Sequence, residues 1–179
     1  MRLFLILFTA LILFSAEAFS KEPIRVLEGT VIKVSDGDTI TVNADGAKLK
    51  IRLYGIDAPE TPKINRRTGW NSKPGQPYGN EAWHALERKI NRQRVRVEVK
   101  DIDQYRRLVS VVWLSSRNIN RELVADGWAW AYRQYLDRPH ASEDTNAEEQ
   151  ARARRLGLWR DTNPQPPWEF RKEQRINGK

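Results

Sequence analysis

Asp38, Asp57 and Glu60 stand in two short runs with Arg52. The runs are Asp36-Gly37-Asp38-Thr39 and Arg52-Leu53-Tyr54-Gly55-Ile56-Asp57-Ala58-Pro59-Glu60-Thr61, on either side of a predicted strand hairpin. The acids offer hard oxygen ligands of the kind Ca²⁺ or Mg²⁺ prefers, and the arginine offers a planar fork that suits a phosphate. A second basic knot, Tyr105-Arg106-Arg107, lies further on. If these groups converge, three carboxylates and two arginines sum to minus one, which repels a phosphodiester. One divalent cation reverses that to plus one, and the bound diester brings the site to neutrality. The added negative charge of a pentacoordinate transition state is then what the arginines and the cation are placed to stabilise. The pattern therefore points to cation-assisted cleavage of a phosphodiester. Each piece alone is ordinary, since Asp-Gly reads as a turn and Ala58-Pro59 as a loop. Only the combination explains why Arg52 should precede Asp57 and Glu60 and a basic turn should follow.

These residues must be held by some frame, and apolar alternation predicts strands at about Arg25–Val34, Thr39–Asn43, Lys48–Gly55, Arg94–Lys100 and Leu108–Leu114. In the third, Leu49, Ile51 and Leu53 share one face, which gathers Lys48, Lys50 and Arg52 on the other. Asp45-Gly46 supplies the turn between the second and third strands. Asn80 is the expected cap of a helix running to Asn91, and Asn120 of a short helix closed by Gly127. Thr145 with Glu148 makes a capping-box pattern for a last helix ending at Gly157. Five strands with about three helices give an α+β, mainly β chain, and a small five-stranded Greek-key barrel of the OB type is the expected architecture. Pattern alone leaves an open α+β sheet as the alternative.

The chain of 179 residues has room for one domain, here expected at residues 19–160. A net charge of +8 and a pI near 9.9 favour an anionic partner, nucleic acid before a membrane surface. Met1-Arg2, the apolar run Leu3–Phe14 and the small residues around Ala16-Glu17-Ala18 read as a secretory signal spanning residues 1–18. Its removal deletes Arg2 and Glu17 together, so the mature charge is unchanged. No cysteine is present, which excludes disulfides and thiolate metal sites. His84 and His140 are too far apart for a local zinc pair.

At these residues the chain resembles the staphylococcal-nuclease-like, or thermonuclease, family, over about Val26 to Trp159. The motifs that carry the resemblance are Asp36–Thr39, Arg52, Asp57–Thr61 and Tyr105–Arg107. Supporting matches are Tyr78–Ala82, Asn120–Val124 and Ala147–Ala151 followed by Gly157-Leu158-Trp159. The resemblance implies the same OB-type barrel. It implies that Asp38 and Asp57 bind Ca²⁺ through their side chains, with the Ala58 carbonyl as a further ligand. Glu60 is implied to act on the attacking water, and Arg52 and Arg107 to grip the phosphate. It also implies loss of the 5′ oxygen, leaving 3′-phosphate ends. Two departures stand out: Ala58 where the family commonly has threonine, and Arg106 where it often has glycine.

Lys63, Arg66, Arg67 and Lys73 fall in a loop-like segment, residues 63–77, directly after the Glu60 motif, where a basic loop would guide a strand inwards. Tyr132 and Tyr135 offer stacking surface, and Tyr105 with Arg106 completes the expected nucleic-acid contacts. Trp113, Trp128 and Trp130 fall on apolar segments and are assigned to the core. The tail, residues 161–179, reads as an extended basic segment partly docked by its aromatics. The expected molecule is an exported, secreted or periplasmic, monomeric Ca²⁺-dependent nuclease. It should act on DNA and also RNA with little sequence preference, without an obligate protein partner and without a transmembrane segment in the mature chain. The competing class is a non-catalytic OB-fold nucleic-acid-binding module, against which the presence of all five charged groups argues. A basic surface adhesin would leave the acids unexplained.

Overall fold

The structure is a computed structural model that describes residues 22–65, 67–136 and 140–177. The expected signal, residues 1–18, and Arg66 lie outside the described residues. The long strand β1 (Arg25–Asp36) is followed by β2 (Thr39–Ala44), β3 (Ala47–Leu53), β4 (Ile56–Asp57) and a small hairpin of β5 (Lys63–Ile64) and β6 (Asn71–Lys73). Helix α1 (Gly79–Ile90) leads to β7 (Arg94–Ile102), β8 (Leu108–Leu114) and β9 (Arg117–Asn118). Then come α2 (Ile119–Ala125), β10 (Trp130–Ala131), α3 (His140–Ala153) and α4 (Pro167–Asn177).

The five main strands close into the expected barrel. β1 serves both sides of it: its first half pairs with β7 and its second half with β2, with register shifts at Val31/Lys33 and Val34/Asp36 that bend the strand around the core. The order β3-β2-β1-β7-β8 is completed by a parallel β3–β8 pairing, Ile51 to Leu108 through Leu53 to Ser110. Alternation sends Ile40, Val42, Ile51, Leu53, Val97 and Val112 inside, where α1 adds Leu86 and Ile90 and α2 adds Leu123. The opposite face of β3 carries Lys48 and Lys50 exposed and Arg52 half-buried, as the alternation required.

Three expected caps are corrected. Asn80 lies inside α1, whose entry residue Tyr78 has φ 66° and no side-chain cap. Asn118, not Asn120, caps α2 by accepting the Arg121 N–H. Asn120 is buried: its Oδ1 accepts the Val112 N–H at 3.0 Å and its Nδ2 donates to the Tyr54 and Ser110 carbonyls at 2.9 and 3.1 Å. It therefore rivets α2 to the end of β3 and to β8. Thr145 is interior to α3, and Glu148 uses its carboxylate to accept the Ala131 N–H at 2.6 Å.

A second apolar cluster of Trp130, Ala151, Leu158 and Trp159 lies beside the barrel, with Trp168 of α4 packed on it. Trp113 and Trp128 are half-buried. The backbone leaving α2 at Gly127 (φ 76°) meets the backbone leaving α3 at Gly157 (φ 53°), and Leu158 N–H donates to the Gly127 carbonyl at 2.9 Å. A Cβ on Gly157 would stand 2.1 Å from the Gly127 oxygen, so the contact requires glycine. The tail departs from the expected extended form. Pro167 at the first helical position, Glu169 in the first turn and Arg175 in the last favour the helix that is observed as α4.

Candidate functional site

Pairing of Thr39 with Arg52 in the β2–β3 hairpin sets the Asp36-Gly37-Asp38 corner beside the Arg52 side chain, and the Leu53 N–H donates to the Asp38 carbonyl at 2.8 Å. Gly37 is needed for approach rather than for a turn: a Cβ there would lie 2.7 Å from the Ala58 Cβ and 2.9 Å from the Ala82 Cβ. That close packing brings the Asp57-Ala58 strand end onto Asp38, whose Oδ2 accepts the Ala58 N–H at 2.9 Å. The Thr39 hydroxyl donates to Oδ1 of the same carboxylate at 3.1 Å.

Arg52 bridges the two aspartates. Its Nη1 is ion-paired with Asp38 and its Nη2 donates to Asp57 Oδ1 at 2.7 Å. Nη1 makes no aligned hydrogen bond in this arrangement, so it retains donors for another acceptor. Burial works against the guanidinium charge, but Asp38, Asp57 and Asp36 outweigh it and hold the pKa of Arg52 above its ordinary value. Asp57 is fully covered. Burial raises its pKa, against the hydrogen bonds of Arg171 and the charge of Arg52. Burial and the neighbouring Asp38 carboxylate push the Asp36 carboxyl up to about 7. This corner is thus crowded with anionic groups.

Among the described residues no three acidic or histidine side chains are close enough to form a metal cage by themselves. The donors present nevertheless suit a hard cation. Asp38 and Asp57 flank one guanidinium and adjoin the Ala58 backbone, and Ca²⁺ completes such partial sets with carbonyls and water.

Glu60 follows on the same strand exit, half-buried. Its backbone N–H donates to Gln76 Oε1 at 3.3 Å, and its carboxylate accepts Arg171 Nη1 at 2.8 Å. Arg171 also forks onto Asp57, at 2.7 Å to Oδ2 and 3.1 Å to Oδ1. Reading the tail as extended concealed Arg171. The proline at the first position and the spacing of Pro167, Trp168 and Arg171 on one helix face were the signals that could have found it.

The structure places Arg107 in the β7–β8 turn. Asp103 accepts its N–H at 2.9 Å and its Nε at 2.7 Å, and also accepts the Tyr105 N–H at 2.9 Å. These bonds hold the pKa of Asp103 below its ordinary value, against a partial burial that would raise it. The terminal nitrogens of Arg107 form no hydrogen bond with the described residues. Its guanidinium carbon lies 5.5 Å from the Tyr105 ring centroid, and that ring is exposed. Arg106 sits at φ 58°, a conformation that favours glycine, which accounts physically for the glycine common at this place in the resembling family. Tyr132 is not open for base stacking on the face covered by Trp168, whose ring is parallel to it at 5.1 Å. Tyr135 lies in the short 3₁₀ turn Arg133–Tyr135. Lys63 is exposed on a hairpin rather than a loop, directly opposite Lys73. Trp70 at its tip is 78% exposed.

Residues 50–161 match the family model described as Staphylococcal nuclease homologue. An "Uncharacterized endonuclease" of Haemophilus influenzae is 38% identical over 148 residues, covering 82% of this chain and 74% of that protein. A "Micrococcal nuclease" of Shigella flexneri is 37% identical over 153 residues, covering 80% of each. A "Thermonuclease" of Staphylococcus hyicus is 35% identical over 131 residues, covering 72% of this chain and 73% of that one.

Proposed function

The chain belongs to the staphylococcal nuclease homologue family and is a nuclease, and on that premise we propose that it is an exported, Ca²⁺-dependent phosphodiesterase that cuts DNA and RNA internally with little sequence preference. The observation that carries this reading is Arg52 held between Asp38 and Asp57 with Glu60 three residues on. A binding module has no use for buried acids that repel its ligand, whereas a hydrolase needs them.

Asp38, Asp57 and the Ala58 carbonyl would hold the cation. When bound, it supplies positive charge at a phosphate oxygen and at the attacking water. Arg52, with Nη1 donors to give, grips a non-bridging phosphate oxygen. Arg107, fixed at Nε by Asp103, would give its terminal nitrogens to the same group. Glu60 accepts the proton of a water attacking phosphorus in line. The bond to the 5′ oxygen breaks, and that oxygen takes a proton from solvent water and leaves as a 5′-hydroxyl, while Glu60 returns its proton to solvent, so a 3′-phosphate remains. No 2′-hydroxyl takes part, which makes DNA and RNA equal in principle. The basic hairpin with exposed Lys63 and Trp70 gives the strand a charged, stackable approach.

The export expected from residues 1–18 would place this activity in the periplasm or outside the cell. No helix among the described residues is long and apolar enough to cross a membrane. The test is digestion of single- and double-stranded DNA and RNA with Ca²⁺ and with chelator, followed by end-group analysis. Ca²⁺-dependent cleavage to 3′-phosphate ends is expected. Full activity in chelator or 5′-phosphate ends would refute the mechanism.

A further inference from the structure

The second guanidinium that the structure places on Asp57 and Glu60 is neither Arg52 nor Arg107. It belongs to Arg171, on a helix outside the barrel. Three contacts deliver it there. Pro167 is buried at the start of α4. Trp168 stacks on Tyr132 and meets Trp130 edge-on at 5.6 Å. Gln76 Nε2 donates to the Gln165 carbonyl at 2.5 Å while its Oε1 accepts from Glu60, so one side chain ties the tail to the Glu60 backbone. Arg171 lies three residues after Trp168 and four after Pro167, on the same helical face, and so faces the acids.

We propose that α4 is an intramolecular latch in which Arg171 competes with the divalent cation for Asp57 and Glu60. The proposal rests on the reading of Asp57 as a cation ligand and Glu60 as the base. Asp57 is fully covered, and its two oxygens take three guanidinium N–H groups, two from Arg171 and one from Arg52. Ca²⁺ binds carboxylate oxygens at about 2.4 Å, which would set it against the Arg171 fork, charge against like charge. Net charge points the same way. With Arg171 in place, the three carboxylates Asp38, Asp57 and Glu60 are paired with two guanidiniums, Arg52 and Arg171, and the cluster stands at minus one. Withdrawal of Arg171 leaves three carboxylates on one guanidinium, minus two, which draws a cation in more strongly. It also frees Glu60, whose carboxylate otherwise accepts from Arg171 rather than from a water.

The helix is suited to leave. Of its residues only Pro167 is buried, and the turns beyond Arg171 are exposed, which puts α4 among the segments of low local stability. The latched protein would hold its carboxylates paired without metal. Binding of the cation would exchange one set of partners for another.

The test compares full-length wild type with Arg171→Met, which keeps the stem and removes the fork, and with Trp168→Ala, which loosens the helix without touching an acid. Ca²⁺ affinity is measured by calorimetry in the absence of substrate. Amide exchange of residues 168–177 is followed in wild type with and without saturating Ca²⁺. Because an apparent affinity is reduced by the fraction of protein competent to bind, both variants should bind Ca²⁺ at least about tenfold more tightly. Ca²⁺ should also speed exchange in α4 of the wild type. Unchanged or weaker affinity in both variants, or α4 protection indifferent to Ca²⁺, would overturn the latch while leaving the nuclease reading intact. No Ca²⁺ binding by any of the three proteins would overturn both together.

Discussion

Arg52→Lys isolates the fork from the charge. In the native protein one guanidinium spans two carboxylates, Nη1 on Asp38 and Nη2 at 2.7 Å from Asp57 Oδ1, with a side chain only 14% exposed. A lysine keeps the positive charge, but its single ammonium cannot face both aspartates and a phosphate at once. The fold loses about one charge-assisted contact, a cost of about 1–3 kcal/mol, and should survive. The reaction loses a donor aimed at charge that grows in the transition state, and by comparison with loss of one oxyanion donor this is about 3–4 kcal/mol, or about 100- to 1,000-fold in kcat. Ground-state affinity comes mainly from the distributed basic surface, so KM should move by no more than about threefold. The assay is steady-state cleavage of a fluorescent single-stranded DNA at saturating Ca²⁺, with thermal unfolding run in parallel. A variant that folds normally and turns over within about threefold of wild type would show that Arg52 is a structural clamp on the two acids and takes no part in the chemistry.

Arg107→Lys should lower turnover by a similar factor. Arg106→Gly should leave turnover near wild type and, by relieving a left-handed non-glycine residue, raise stability by about 1 kcal/mol in thermal unfolding; the reverse pattern would mean that the register of this turn is misassigned. Asn120→Leu strands one N–H and two carbonyls in a buried joint and should cost about 3 kcal/mol or more by urea denaturation. Asp103 has a lowered pKa in the folded protein, so its stabilisation is present above its ordinary value near 3.8 and disappears as pH falls through the lower folded value. Asp103→Asn should therefore be more destabilising at about pH 7 than at about pH 2, as read from urea midpoints at the two pH values.

The barrel was legible because its signals are local and repeated. Period-two alternation in β3 alone assigns Ile51 and Leu53 to the core and Arg52 to the outside, and Asp45-Gly46 fixes the register that sets Thr39 against Arg52. The caps were less legible. Asn118 and Asn120 are two residues apart with the same side chain, and only the positions of Tyr54, Ser110 and Val112 decide which one caps and which one rivets. Glu148 was assigned to a helix start because Thr145 stands three residues before it, yet the backbone N–H it satisfies belongs to Ala131, on another element. Gly37 lies in the expected turn, but what requires glycine there is the close approach of Ala58 and Ala82. The site's acids and Arg52 lie close in sequence and could be grouped by spacing. Arg171 is 114 residues from the aspartate it holds, and no local pattern ties the two together.

The joint between Gly127 and Gly157 reaches further than its place in the fold implies. The atoms that would collide with a new side chain there are main-chain oxygens, which no rotamer change can move aside. Relief would have to come from sliding the end of α3 along the end of α2. Leu158 and Trp159 would be carried with it, and so would the origin of the segment that runs through Gln165 to Trp168. A glycine exchanged for alanine at this buried joint would thereby shift the helix that carries Arg171, with every acid and arginine of the site left chemically intact.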